Sequence, residues 1–157
     1  MNSKKKNNRI PVKIIADSPE FIPQYKTAGA AAADVVANIP PNDAGHRTVL
    51  VMPNQVEIID IGFSVEIPEG WEIQIRGRSG LACRGLQVTN SPGTIDSDFR
   101  NRIKVIVNNC GKNIITITHG DRIAQMLIKP VYRFDWIEAS ELNQTERGLG
   151  GLGSTGK

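Results

Sequence analysis

Trp71-Glu72-Ile73-Gln74-Ile75-Arg76 alternates apolar and polar residues without a break. Successive side chains of an extended strand point to opposite faces, so the stretch reads as a strand with one face buried. Ile103, Val105 and Val107 form a second period-two set, and residues 12–15, 48–52, 56–61, 63–67, 114–118 and 123–128 read as further strands. Turn-forming sequence lies between them, as in Pro68-Glu69-Gly70, Asn108-Asn109-Cys110-Gly111 and His119-Gly120. No long stretch carries a 3.6-residue apolar stripe, and the one helical candidate, residues 79–84, is short. Many short strands with evenly spaced turns predict an all-β fold, a jelly-roll-like β-barrel.

A chain of 157 residues holds one domain with its own core and has no room for a second. Hydrophobic residues at 39% and charged ones at 22% exclude a wholly disordered chain and a bundle of membrane spans. The net charge of +3 invites a nucleic-acid reading, but four of the nineteen basic residues, Lys4, Lys5, Lys6 and Arg9, lie in the first nine positions. The remaining fifteen cations face sixteen acids, so the body is close to neutral and residues 1–9 read as a disordered basic tail. With aromatic residues at only 5%, stacking platforms for single strands are scarce as well, and no nucleic-acid partner is expected. No apolar segment follows the lysines and no apolar run reaches membrane-span length, so neither a signal peptide nor a membrane partner is expected. Cys83 and Cys110 lack metal-ligand spacing, which fits reduced thiols in a cytoplasmic location, with a single disulfide as the alternative.

Three segments carry chemistry. Residues 148–157 hold five of the fifteen glycines, and such backbone cannot hold one conformation cheaply. Gly148, Gly150 and Gly153 fit a dinucleotide-binding pattern, but no βαβ unit surrounds them. What remains is a run of flexible N–H groups beside Arg147, Ser154 and Thr155, suited to a polyphosphate; a plain disordered terminus is the alternative. In Arg76-Gly77-Arg78-Ser79-Gly80, two arginines lead into a Ser-Gly pair at the start of the short helix, where N–H groups and guanidinium forks favour phosphate. The plainer reading is a helix cap with two solvated arginines. His46 and His119 lie in unrelated turn contexts, so Ser79 has no histidine base in evidence, which argues against a serine hydrolase. Finally, Asp96 and Asp98 would share a face if their segment were extended, whereas a bulge would turn only one inward. One such carboxylate could act as general base on water beside a Mg²⁺-neutralised phosphate.

The order of the segments is more specific than any one of them. Thr27-Ala28-Gly29-Ala30-Ala31-Ala32-Ala33-Asp34, Gly77-Arg78-Ser79-Gly80-Leu81-Ala82, Asn90-Ser91-Pro92-Gly93-Thr94-Ile95-Asp96-Ser97-Asp98-Phe99-Arg100, Gly120-Asp121-Arg122-Ile123-Ala124-Gln125 and Arg147-Gly148-Leu149-Gly150-Gly151-Leu152-Gly153-Ser154-Thr155 together resemble the five motifs of the trimeric dUTPase family. The resemblance implies a homotrimer with shared active sites that hydrolyses dUTP to dUMP and pyrophosphate with Mg²⁺, limiting uracil in DNA and supplying dUMP for thymidylate. It implies a barrel over residues 10–145 and a C-terminal arm over 146–157 that closes on the site. By the same resemblance, Asp96 is the general base that orients the attacking water, and Arg78, Ser79 and Gly80 bind phosphate, with Ser79 near the bridging oxygen. Asn90, Gly93, Thr94 and Ile95 meet uracil, Phe99 packs on the deoxyribose and Lys104 lies near the base. Asp34 and Gln125 hold the water shell of a metal carried mainly by the triphosphate, while Arg147, Leu152, Gly153, Ser154 and Thr155 form the closing arm.

The sequence departs from the family pattern in three places, one of them a pair of residues. Leu152 stands where the arm usually carries an aromatic ring, Phe99 where tyrosine is usual, and Asn101-Arg102 where Gly-Glu is frequent. Arg102 is expected either to sit beside Asp96 and Asp98, lowering their pKa, or to serve a subunit contact. The rival readings are a dCTP deaminase or bifunctional deaminase and diphosphatase on the same fold, and, in another class, a non-catalytic regulatory binding protein.

Overall fold

The computed structural model describes residues 9–151. Eleven strands and two short helical turns occur among them. They are β1 (Lys13–Ala16), a 3-10 turn (Pro19–Phe21), β2 (Ala33–Val36), β3 (Thr48–Val51), β4 (Val56–Asp60), β5 (Phe63–Glu66), β6 (Trp71–Arg76), α1 (Ser79–Ala82), β7 (Leu86–Val88), β8 (Gly93–Ile95), β9 (Lys104–Asn109), β10 (Ile115–Thr118) and β11 (Arg122–Pro130). The alternation in the sequence thus produces an all-β fold. Each strand read from apolar periodicity is present; β2, β7 and β8 are additional.

The strands form four small antiparallel sheets: β1 with β5, β3 with β10, β4-β9-β7, and the widest, in the order β2-β11-β6-β8. All four contribute to one core. Ile73 and Ile75 of β6 turn inward to meet Val105 and Val107 of β9, Val65 of β5, Ile117 of β10 and Val35 of β2. Full burial of such a side chain stabilises by about 1.5–3 kcal/mol, and the β-branched residues fit the pleated surfaces that present them.

Two polar devices fix how the sheets meet. Asn109, at 0% exposure, donates from Nδ2 to the carbonyls of Val51 (2.8 Å) and Asn113 (2.8 Å) and accepts from the Gly111 N–H (2.9 Å). One side chain therefore ties the end of β9 to β3 and to the loop before β10. Gly62 has φ of +83°, and a side chain there would run into the Phe21 ring. Its N–H donates to Asp60 Oδ1 (2.7 Å) and its carbonyl accepts from the Asp17 N–H (2.9 Å), which joins the β4–β5 corner to the end of β1.

After β11 the chain runs from residue 131 to 151 without strand or helix. Tyr132, Phe134, Trp136, Ile137 and Leu142 of this segment are 79–88% exposed. No helix among the described residues is long and apolar enough to cross a membrane.

Candidate active site

The four-stranded sheet aligns segments that are distant in sequence. On β11, Gln125 lies opposite Asp34 of β2 on one side and Arg76 of β6 on the other. Next along β6, Ile75 lies opposite Gly93 of β8, and Gln74 opposite Thr94. Neighbouring strands are about 4.8 Å apart, so this register sets pieces of three motifs, and the strand leading into a fourth, side by side.

Asp34 is the charged centre of the row. Its residue is 7% exposed, in a strand whose neighbours Ala33 and Val35 are also buried. Its Oδ2 accepts from Arg122 Nη1 (2.9 Å), its Oδ1 accepts from Gln125 Nε2 (3.1 Å), and Arg78 Nε stands 3.5 Å from Oδ1. Burial pushes this carboxyl up, but the hydrogen bonds from Gln125 and Arg122 and the charges of Arg78 and Arg122 outweigh it and hold the group below its ordinary value. Arg122 was not singled out from the sequence as a site residue. The signal for it was Asp34 itself, since an acid inside an apolar strand requires a cation partner.

Arg78 is the residue before α1, with extended backbone (φ −99°, ψ 131°). Its Nη1 donates to the Arg122 carbonyl (2.7 Å) while Nε faces Asp34, and Nη2 has no partner among the described residues. The arginine is held from one side and offers its outer edge. Ser79 and Gly80 follow, exposed, at the first turn of α1, where backbone N–H groups have no intrahelical acceptor. Arg78, Gly80, Leu81, Arg84, Asp121 and Arg122 line a depression of about 410 Å³. Its cations suit phosphate oxygens through forked hydrogen bonds.

The hairpin carries the second group. β8 is the last strand of its sheet, so the backbone N–H and C=O groups that do not face β6 have no strand partner among the described residues. Such an edge can pair with the polar edge of a planar base as it would with another strand. Gly93 packs on Asn90; a Cβ there would lie 3.0 Å from Asn90 Nδ2. β8 stops at Ile95, and Asp96 opens a turn in which its carbonyl accepts from the Phe99 N–H (3.2 Å). Asp96 and Asp98 therefore stand in a turn rather than on one strand face. Both nevertheless line the same groove, of about 810 Å³, with Trp71, Glu72, Arg100 and Arg133. Phe99 is 37% exposed beside them, and Lys104 opens β9 opposite Asp60, its side chain exposed.

Arg102 does not sit beside Asp96 and Asp98, contrary to the first expectation from its sequence position. It donates from Nε and Nη2 to Asp60 (both 2.7 Å) and from Nη1 and Nη2 to Asp17 (2.8 and 2.7 Å). Two carboxylates at the β1 and β4 ends outcompete the nearer neighbours in sequence because together they match the planar guanidinium fork.

The single chain thus brings Asp34, Arg78, Ser79, Gly80 and Gln125 into one neighbourhood and Asn90, Gly93, Thr94, Ile95, Asp96 and Phe99 into another. Arg78 and Gly80 of the first line one depression, and Asp96 of the second lines another. Arg147 lies on the exposed terminal segment, where the Gly150 N–H donates to its carbonyl (3.0 Å). Leu152, Gly153, Ser154 and Thr155, like most of the basic tail, lie outside the described residues. Among the described residues no three His, Cys, Asp or Glu side chains gather to hold a metal ion. With the Asp34 oxygens taken by Arg122, Gln125 and Arg78, a resident ion bound by protein ligands does not fit this donor set.

Comparison with known proteins agrees with the motif order. A family model described as dUTPase matches residues 20–156. The deoxyuridine 5'-triphosphate nucleotidohydrolase of Roseobacter denitrificans is 46% identical over 142 residues, covering 90% of each chain. That of Desulfotalea psychrophila is 47% identical over 136 residues (86% and 87%), and that of Chlamydia trachomatis serovar L2 is 43% identical over 143 (90% and 94%). Among solved structures, a dUTPase of Staphylococcus bacteriophage 80alpha with dUpNHpp superposes with a TM-score of 0.78 at 21% identity, over 94% of this chain and 99% of its own. The dUTPase of phage phi11, described with a structural Mg(II) ion, superposes with a TM-score of 0.72 at 18% identity, over 84% and 98%. The phage structures agree in fold alone, but the family model and the bacterial relatives span nearly the whole sequence: the chain belongs to the dUTPase family.

Proposed function

We propose that this protein hydrolyses dUTP to dUMP and pyrophosphate at sites shared between copies of a homotrimer. The observation that supports the reading is the strand register, with Gln125 opposite both Asp34 and Arg76 and Gly93 opposite Ile75, which aligns residues of three motifs, and the strand leading into a fourth, on one sheet.

The chemistry follows from the groups. A triphosphate carries its own Mg²⁺, and the ion enters as part of the substrate. Arg78, with the N–H groups of Ser79 and Gly80, receives the phosphate chain, and Asp34 with Gln125 and Arg122 keeps Arg78 aimed. Uracil pairs with the free edge of β8 and with Asn90, and the tight hairpin discriminates against a C5 methyl by steric exclusion. Phe99 covers the sugar, and Lys104 lies at the neighbouring strand start. Asp96 accepts a proton from water as the oxygen attacks the α-phosphorus; the bond to the bridging oxygen breaks, near Ser79, and pyrophosphate leaves. Arg147 and Leu152 to Thr155 close over the phosphates and exclude water.

Sharing between copies is supported by the split arrangement. The phosphate depression and the Asp96 groove are separate on one chain, and the segment after β11 exposes Tyr132, Phe134, Trp136, Ile137 and Leu142, an apolar surface that a lone chain leaves wet. The family and its named relatives favour attack at phosphorus over deamination of the base.

One experiment tests both claims. Pyrophosphate release with Mg²⁺ is followed for dUTP, dCTP, dTTP and UTP, with wild type, Asp96→Asn, Arg78→Ala and the two variants co-expressed. Release is expected from dUTP alone and from neither variant alone. Co-expression should restore about a quarter of the sites if each draws the two groups from different copies. No release from dUTP sinks the reaction, and no restoration sinks the shared site.

A further inference from the structure

We propose that Arg102 is a positioning residue: by gripping Asp17 and Asp60 it fixes the downstream end of the 96–101 turn and so holds Asp96 and Phe99 in place. The inference rests on the reading of Asp96 as the reacting carboxylate.

The turn itself has little to hold it. β8 ends at Ile95, and Asp96, Asp98, Phe99, Arg100 and Asn101 are all exposed. Inside the turn, the Phe99 N–H donates to the Asp96 carbonyl (3.2 Å), and Arg100 Nη1 donates to the carbonyls of Ser97 (2.6 Å) and Phe99 (3.0 Å). These bonds shape the turn but, among the described residues, attach it to no other element. A six-residue turn held only by its own contacts would open locally at small cost.

Attachment begins at Arg102. Its guanidinium makes four charge-assisted hydrogen bonds of 2.7–2.8 Å, two to each carboxylate. Both carboxylates are anchored in turn. Asp60 accepts from the Gly62 N–H (2.7 Å), and Asp17 from Asn38 Nδ2 (2.7 Å), while the Asp17 N–H donates to the Gly62 carbonyl (2.9 Å). Ile103, the next residue, is 0% exposed and bonds Phe63 and Ile61 through its backbone. The grip reaches a corner common to β1, β4 and β5, so its position does not depend on the turn it restrains. Asp17 and Asp60 are both held below their ordinary carboxyl range: at Asp17 the hydrogen bond from Arg102 leads, and at Asp60 the same partner and the Gly62 N–H overcome burial. The clamp therefore stays charged at neutral pH.

The geometry also explains why lysine is no substitute. An ammonium can meet one or two carboxylate oxygens, whereas the planar fork spans four. A displacement of the reacting carboxylate by about 1 Å costs on the order of 100-fold in rate with little effect on binding.

The test compares wild type, Arg102→Ala, Arg102→Lys and Asp60→Asn by steady-state dUTP hydrolysis and by amide hydrogen exchange. In Arg102→Ala, exchange at residues 97–101 should rise about 10-fold or more over wild type, with β6 and β11 unchanged. Its kcat should fall about 10- to 100-fold while KM stays within about 3-fold, and Arg102→Lys should recover only part of the loss. Asp60→Asn combined with Arg102→Ala should be no worse than Arg102→Ala alone, since both remove one clamp. Turnover within about twofold of wild type in Arg102→Ala, or exchange raised equally in β6 and β11, overturns the proposal. If wild type itself does not hydrolyse dUTP, the functional reading fails on that result, and the exchange pattern still decides whether Arg102 restrains the turn.

Discussion

Replacing Asp34 by asparagine keeps the side chain's shape and removes one negative charge from the centre of the cluster formed with Arg78, Arg122 and Gln125. The side chain of Asp34 is 5% exposed, while those of Arg78 and Arg122 are 25% and 47% exposed. Removing one partner of a fully buried pair costs about 3–5 kcal/mol, and breaking an exposed pair costs about 0.2–1 kcal/mol. Here the anion is buried and the cations are partly hydrated, which places the loss at about 2 kcal/mol. For a chain of this size that lowers Tm by about 4–8 °C at fixed protein concentration. The pH dependence supplies an internal control. Burial pushes the Asp34 carboxyl up from 3.8, but its partners bring it below that value, so its contribution is present above pH 3.8 and is lost as pH falls through the lower folded value. Urea midpoints of wild type and Asp34→Asn should therefore differ at neutral pH and converge as the acid is titrated. Turnover should fall as well, because Arg78 loses the group that aims it. A Tm change below about 1 °C, or a difference that persists unchanged into acid, refutes the claim that the buried carboxylate holds the arginines.

Three further outcomes follow from particular contacts. Asn109→Asp would set a carboxylate oxygen against the carbonyls of Val51 and Asn113, and urea unfolding should show a loss of about 3 kcal/mol or more, whereas a surface residue would lose less than about 0.5. His119 accepts from the Ile39 N–H at Nδ1 (3.1 Å), and burial, then the Arg47 charge, hold it below 6.5 despite Glu20. Its contribution to stability is complete above pH 6.5 and declines as pH falls below it, since the unfolded chain takes the proton first; His119→Gln should flatten that acid slope in a pH series of urea midpoints. Gly93→Ala places a Cβ 3.0 Å from Asn90 Nδ2, so Asn90 must shift by a few tenths of an ångström, and steady-state kinetics should show KM for dUTP raised several-fold with Tm little changed.

The strands that periodicity reveals are those with one wet face. β6 and β9 alternate because solvent covers one side of each, and their sequence states it. β2 was not legible in this way: Ala33, Asp34 and Val35 are all buried, so no alternation survives. β7 and β8 are three residues each, too short to show a period. The family motifs supplied the candidate residues, but their order along the chain could not say that Gln125 lies between Asp34 and Arg76, because that depends on a register set by strands far apart in sequence. Nor could it place Arg102. Proximity in sequence pointed to Asp96 and Asp98, and the fold instead brought Asp17 and Asp60 from the far end of the chain.

The fate of Arg102 and the split of the site have one physical origin. A small β domain buries the inward face of each short strand and leaves chemistry to turns and strand ends, where backbone is free but poorly restrained. Such positions need outside support to hold a reacting group within a fraction of an ångström. In this chain Asp34 supports Arg78 from beneath, on a strand of the same sheet, and Arg102 ties the Asp96 turn to a corner of other strands. Each half of the site thus has its own ion-pair anchor. Neither anchor couples one half to the other within the chain. Under the proposed sharing, two halves that line separate depressions are brought together by a symmetric contact between copies without either being remodelled, and the exposed aromatic residues after β11 would supply apolar surface for that contact.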